Sequence, residues 1–186
     1  GSCEQQRPRV IKRLLHLHVG KSEQLLSWLQ NARISRLVHD GGETLSGRAT
    51  RVQRCRWHLI YQLKHYLWQD GVPHGQRARY QQQLARILCD QHQGLQRYGR
   101  FIAQLSRQGL LSAAGHLRAA QAEAFSWLKE PQFHYTSTSV LEREMREVNR
   151  RVDNGSRWSE QGIEHVLKVL FHYRLNQQSE SKRSSP

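Results

Sequence analysis

The chain has 186 residues, enough for one ordinary domain, or one and a half, with a real core, and carries 29 Lys and Arg against 15 Asp and Glu, a formal charge of +14. Such an excess favours a polyanionic partner, because each cation that faces a phosphate releases condensed counterions. No apolar run approaches the ~20 residues of a membrane span, no signal-type apolar stretch follows the basic start, and three cysteines (Cys3, Cys55, Cys89) build no disulfide framework and point to a reducing compartment.

The opening GSCEQQ lacks Met, and its Gly1-Ser2 reads as a cloning scar or as a cut from a longer chain. In RVIKRLLHLHVG, Leu15, Leu17 and Val19 alternate ahead of Gly20, which suits a short strand, with a helix as the alternative. From Ser22, a fitting N-cap, Leu25, Leu26 and Leu29 share one helical face. RISRLVHDGG then predicts a strand through Ile34, Leu37 and Val38 that stops at Asp40. Strand, helix and strand in so short a span is an α/β signature, and ligands of open α/β sheets gather at the carboxyl ends of strands. After Gly41, Gly42 and Gly47 the pattern changes. QRCRWHLIYQLKHYLWQDG has helical periodicity in Trp57, Ile60, Tyr61, the stem of Lys64, Leu67 and Trp68, and it ends at Gly71 and Pro73.

From Gly75 to Trp127 the periodicity stays helical, with breaks near Gly94, Gly109 and Gly115, so two to four helices are expected. KEPQFHYTSTS is a loop broken at Pro131. SVLEREMREVNRRV follows as a helix capped by Ser139 with Leu141, Met145, Val148 and Val152 as its stripe, and Ser159 opens a last helix striped by Ile163, Val166, Leu167 and Leu170. The organisation predicted is α/β and predominantly helical. Residues 1–60 hold strand–helix–strand, 61–135 a helical block, 136–176 two further helices, and 177–186 a disordered tail. No internal repeat is visible.

Several residues could carry chemistry. Asp40 before two glycines is either a turn-capping side chain or a free carboxylate at a strand end. Glu142 lies on a first helical turn, where an acid complements the helix dipole; Glu144 and Glu147 suit pairing with Arg neighbours such as Arg143, Arg150 or Arg151. Cys55 and His58 stand at i, i+3, and Cys89 and His92 repeat that spacing. Four such ligands can make a tetrahedral zinc site, but each pair alone is common and the segment between them reads as helix rather than a compact finger, so zinc is disfavoured. The remaining histidines share no spacing. RCRWHLIYQLKHYLW could stack on bases, although Trp57 and Trp68 at helical spacing read as core. No phosphate-binding loop, dinucleotide fingerprint or Ser–His–Asp order is present.

In combination, the strand ending in Asp40-Gly41, the QRCRWH of Gln53 to His58, a helical block, and Thr138-Ser139-Val140-Leu141-Glu142 opening a helix resemble the Mutator-like DDE transposases of bacterial insertion sequences. That family has a strand-ending DG, a QRCxxH motif, a helical insertion, and a T-N-x-x-E motif at the start of a helix; Ser139 stands here where the family has Asn. The likeness spans Gly20 to Asn176. It implies a partial ribonuclease-H-like sheet with an all-α insertion at 61–135. It also implies Asp40 and Glu142 as catalytic carboxylates holding Mg²⁺ or Mn²⁺, with two ions expected in a complete site, and Cys55 and His58 in support. Hard oxygen ligands suit such ions, and an ion pair suits phosphoryl transfer.

Arg54, Arg56, Lys64, Arg143 and Arg146 are the expected phosphate contacts, contributing affinity rather than sequence reading. DNA, as transposon ends and target, is the implied partner, with a homodimer to pair two ends, no membrane, and a bacterial cytoplasmic, nucleoid-associated location. The family's first catalytic Asp has no counterpart, because no Asp precedes Asp40 and only Glu4 and Glu23 are acidic there. The chain is therefore expected to be a C-terminal portion, inactive alone. The alternative is a non-catalytic, basic, helical nucleic-acid-binding module derived from a transposase.

Overall fold

The computed structural model describes residues 22–41, 51–129, 137–152 and 157–180. The expected strand at Leu15 to Val19, the glycines Gly42 and Gly47, and the loop around Pro131 lie outside them. The protein is predominantly helical, with eight helices and one small parallel sheet among the described residues. None of these helices is long and apolar enough to cross a membrane. The chain divides into two compact units, Ala32–Val140, and Gly1–Asn31 with Leu141–Pro186.

Within Ala32–Val140, the expected strand forms as β1 (Arg36–His39) and pairs in parallel with β2 (Arg51–Arg54), in the register Arg36 to Arg51 through His39 to Arg54. β2 corrects the helix expected from Gln53 onward. Its one fully buried side chain is the amide of Gln53, so the apolar alternation that marks a half-buried strand is absent. The helix starts three residues later as α2 (Arg56–Gln69), with Cys55 as its extended N-cap residue.

α2 buries Leu59, Leu63 and Leu67, one helical face at i, i+4 and i+8. It ends as the sequence predicts. Gly71 adopts φ +79°, and Val72 N–H bonds back to the carbonyl of Leu67, a left-handed C-terminal cap that a side chain would strain. Then come α3 (His74–Cys89), α4 (Gly94–Arg107), α5 (Leu111–Ala120) and the short α6 (Ser126–Lys129). Gly94 and Gly109 do mark boundaries. Gly115 does not, because it lies within α5, where helix-forming Ala neighbours carry it.

A single apolar core joins these helices through Leu84, Leu88, Phe101, Leu105 and Leu117, with Tyr98 donating its hydroxyl to Leu117 O at 2.9 Å. Asp70, at the end of α2, accepts from the backbone N–H groups of Ser112 and Ala113 at 2.9 and 2.8 Å, and so caps α5 from a distance. The same core displaces an expectation. Trp57 and Trp68 are 47% and 57% exposed, since α2 turns to the core its leucine face, 120–140° away on a helical wheel at roughly 100° per residue, with Ile60 and Tyr66 packed at its edges. Lys64 is exposed with them.

The other unit contains α1 (Ser22–Asn31), where Leu29 is buried as expected, then α7 (Ser139–Val152, from Leu141 onward) and α8 (Glu160–Glu180). Ser159 caps α8 by accepting from Gly162 N–H at 3.0 Å. Val148, Leu167, Leu170 and Phe171 form a small core, flanked by Val152 and Ile163. Of the stripe expected on α7, Leu141 and Met145 are exposed, and Glu144 is buried instead. α8 continues to Glu180, some way into the segment assigned to a tail.

Candidate functional site

Asp40 leaves β1 just beyond His39 and is exposed. The buried side chain of His39 and the Gly41 turn set its position. His39, 3% exposed, pairs through Nε2 with Glu123 Oε2 at 2.9 Å, while its Nδ1 accepts the backbone N–H of Gly41 at 3.2 Å. Nδ1 therefore carries no proton, and Nε2–H faces the carboxylate. Gly41 has φ +119°, and the guanidinium of Arg54 lies where a Cβ would stand, so any side chain there would meet both backbone strain and Arg54. The two glycine-adjacent contacts hold the turn on both sides.

Behind the strands, Gln53 is fully buried. Its amide nitrogen donates to Arg54 O at 2.7 Å and Ala124 O at 3.2 Å, and its oxygen accepts Trp127 N–H at 2.9 Å. Arg54 N–H bonds to Glu123 O at 3.1 Å, and Cys55 N–H to His39 O at 2.7 Å. The strand pair is thus fastened to the end of the helical block by polar contacts. Glu123 was marked by no motif, and Gln53 only as the opening residue of QRCRWH; their buried partners show what each does.

Cys55 and His58 do meet, with Nδ1 and Sγ 3.3 Å apart. Thr138 joins them. Its backbone N–H and its hydroxyl donate to Cys55 Sγ at 3.3 and 3.4 Å, and its Oγ1 lies 3.1 Å from His58 Nδ1. Burial pushes the Cys55 thiol up, but hydrogen bonds from the Thr138 side chain, the His58 backbone, the Thr138 backbone and the His58 ring outweigh it and bring the pKa down from 9.0 to about 7. The sulfur is fully buried, so this is an internal acceptor and not an exposed nucleophile.

Glu142 is half-buried on the first turn of α7, and Arg143 and Arg146 are exposed. Glu147 pairs with Arg150 at 3.2 Å, one of the partners the spacing allows. The two C-x-x-H pairs do not assemble into a metal centre. Cys89 is exposed and receives a hydrogen bond from Arg56 Nη2 at 3.1 Å, and His92 gives its backbone N–H to Asp90. Among the described residues no three His, Cys, Asp or Glu side chains gather into a group that could hold an ion. A two-ion centre needs several converging carboxylates. The described residues alone do not fit one, and further ligands would have to come from elsewhere.

The basic residues also sort differently from expectation. Arg54 packs on Gly41. Arg56 reaches inward to Leu88 O at 2.5 Å and lies over the Trp127 ring, 4.9 Å from its centroid. Of the phosphate candidates in Ala32–Val140, Lys64 stands on the surface. A basic surface that the sequence reading missed lies between α3 and α4, a groove of about 600 Å³ lined by Arg79, Arg86, Arg97 and Arg100 together with glutamines Gln82 and Gln104. Arg97 there bonds Asp90 at 3.0 Å. Arg79 and Arg86 one heptad apart, and Arg97 and Arg100 one turn apart, were the available signal. The chain matches no protein-family model, no curated protein and no solved structure.

Proposed function

We propose that the chain is part of a Mutator-like DDE transposase, a portion of a ribonuclease-H-like catalytic domain carrying an all-α insertion, and that it takes part in DNA transposition by metal-dependent phosphoryl transfer. The observation that carries this reading is the cluster of Cys55, His58 and Thr138. Two motifs on which the resemblance rests, C-x-x-H and T-S-x-x-E, are separated by 83 positions between Cys55 and Thr138, yet hydrogen bonds bind one to the other. Thr138, just ahead of α7, supplies the buried Cys55 and the half-buried His58 with hydrogen-bond partners, so the two motifs form one cluster. The parallel strand pair with Asp40 at its carboxyl end is the second support.

Asp40 and Glu142 are the proposed carboxylate ligands for Mg²⁺ or Mn²⁺. The partner is DNA, as transposon ends and target, in the bacterial cytoplasm, and pairing of two ends calls for a homodimer. Titration of Mn²⁺, followed by the EPR signal of the free ion, tests the ligand assignment. Asp40→Asn and Glu142→Gln should each weaken Mn²⁺ binding by about tenfold or more, and Glu147→Gln should not. Equal isotherms for all of them would remove the metal reading.

A second reading has its own observation, the arginine-lined groove between α3 and α4. A non-catalytic nucleic-acid-binding module derived from a transposase would use it for phosphates alone. Its affinity would fall steeply with salt, Arg86→Ala and Arg100→Ala would each lower the salt slope by about 1, and Asp40→Ala would change nothing.

A further inference from the structure

The core leaves one face of α2 with its largest side chains outside. Trp57, Tyr61, Lys64, His65 and Trp68 fall at i, i+4, i+7, i+8 and i+11, a single stripe on the side away from Leu59, Leu63 and Leu67. Trp57, Tyr61 and Trp68 are 47%, 60% and 57% exposed. The stripe is about 16 Å long at the rise of an α-helix. Along it the rings are already ordered against each other. Trp57 and Tyr61 stack with centroids 4.9 Å apart and planes 8° from parallel, and His65 and Trp68 lie 5.6 Å apart. Tyr61, Lys64, His65, Trp68 and Arg77 line an open depression of about 370 Å³, with no acidic residue among them.

Flat rings with cations between them present two recognition chemistries at a spacing that suits one ligand. A nucleobase offers a π-face to each ring, and the phosphate that joins it to the next base meets Lys64 or Arg77. Duplex DNA hides its π-faces in the stack and could satisfy only the cations. An anionic membrane is a poorer fit, since an interfacial helix inserts a continuous apolar face, and here Lys64 and His65 interrupt the rings while the leucines of α2 are committed to the core. We propose that the outward face of α2 is a platform for an unpaired DNA strand, on which Trp57, Tyr61 and Trp68 stack bases and Lys64 and Arg77 hold the connecting phosphates. The choice of DNA over RNA rests on the transposase reading; the stacking platform does not.

Fluorescence anisotropy of a labelled oligo-dT strand, a DNA duplex of equal length and an oligo-U strand tests the platform at fixed salt on the full chain. Trp57→Ala and Trp68→Ala should each weaken oligo-dT binding by about tenfold, with duplex affinity nearly unchanged. Trp68→Phe, which keeps a ring, should restore most of the loss, and Tyr173→Ala, an exposed ring on α8, should cause none. Losses that are equal for strand and duplex, or absent for the strand, overturn the platform. So does a loss of binding to vesicles of phosphatidylserine and phosphatidylcholine in place of the strand. Loss on oligo-U with no binding of oligo-dT overturns the assignment to DNA, and the transposase reading with it, while leaving the stacking surface in place.

Discussion

Two regions of Ala32–Val140 are held together by different physics. The helical block from α2 to α5 closes around leucines and rings, with Leu59, Leu63, Leu84, Leu105 and Leu117 completely buried. The strand corner closes around His39, Gln53 and Cys55, each of them buried and each hydrogen-bonded to a partner far along the chain. Apolar packing is tolerant of which residue supplies the volume. Buried polar contacts are specific, because a lost partner leaves a donor or acceptor without water or protein. The difference teaches where precision is needed. The block provides a rigid body, and the corner fixes the backbone beside Asp40 and just ahead of α7.

Substitutions in each region should separate these roles. Phe101→Ala should have the largest effect on stability, about 3–5 kcal/mol in urea unfolding, while leaving the Cys55 titration near 7 in the folded protein. Acidification should come next. Burial of His116, only partly offset by the bond to Leu59 O, brings its pKa down from 6.5 to about 4, so the folded protein holds it neutral. The unfolded chain binds a proton first as pH falls. Stability should therefore be complete above pH 6.5 and decline towards pH 4, by up to about 3 kcal/mol. His116→Gln should flatten that part of the pH profile.

In the corner, Gln53→Ala should cost about 2 kcal/mol, because Trp127 N–H and Ala124 O lose their buried partner. A loss much smaller than that would mean the corner is no more demanding than the block. Thr138→Val should cost least, about 1 kcal/mol, yet should move Cys55 most. Without the hydroxyl, the thiol should return from about 7 towards 9.0, read as thiolate absorbance in a Cys3→Ser, Cys89→Ser background. The lowered thiol pKa favours the folded form above pH 9.0, and that contribution fades as pH falls to about 7. A thiol that titrates alike in both proteins would break the proposed link between the two motifs.

Periodic segments were legible. α1, α7 and α8 begin at or beside Ser22, Ser139 and Ser159 as expected, Leu29, Val148, Leu167 and Leu170 are buried as expected, and β1 ends just before Asp40. β2 was hidden because a buried amide, Gln53, stands where an apolar residue would have marked the strand. Trp57 and Trp68 read as core because periodicity ranks hydrophobicity without knowing which face the leucines will claim. On α7, Leu141 and Met145 lie outside while Glu144 lies inside, for which apolar spacing provides no account. At the candidate site, the Cys55–His58 pairing followed from i, i+3 spacing. Its bond to Thr138 and the His39–Glu123 pair did not, because contacts across 80 or more positions depend on how the whole helical block folds.

The metal proposed at Asp40 and Glu142 can be located by where it cuts the chain. Iron-mediated backbone cleavage tests it directly. Fe²⁺ replaces Mg²⁺ at carboxylate sites, and peroxide with ascorbate then cuts the chain close to the bound ion, at positions read by mass spectrometry. Cuts should cluster near residue 40 and near residue 142, be suppressed by excess Mg²⁺ and be lost at both places in Asp40→Asn. Cuts elsewhere, or cuts near 40 and 142 that persist in Asp40→Asn, would contradict it.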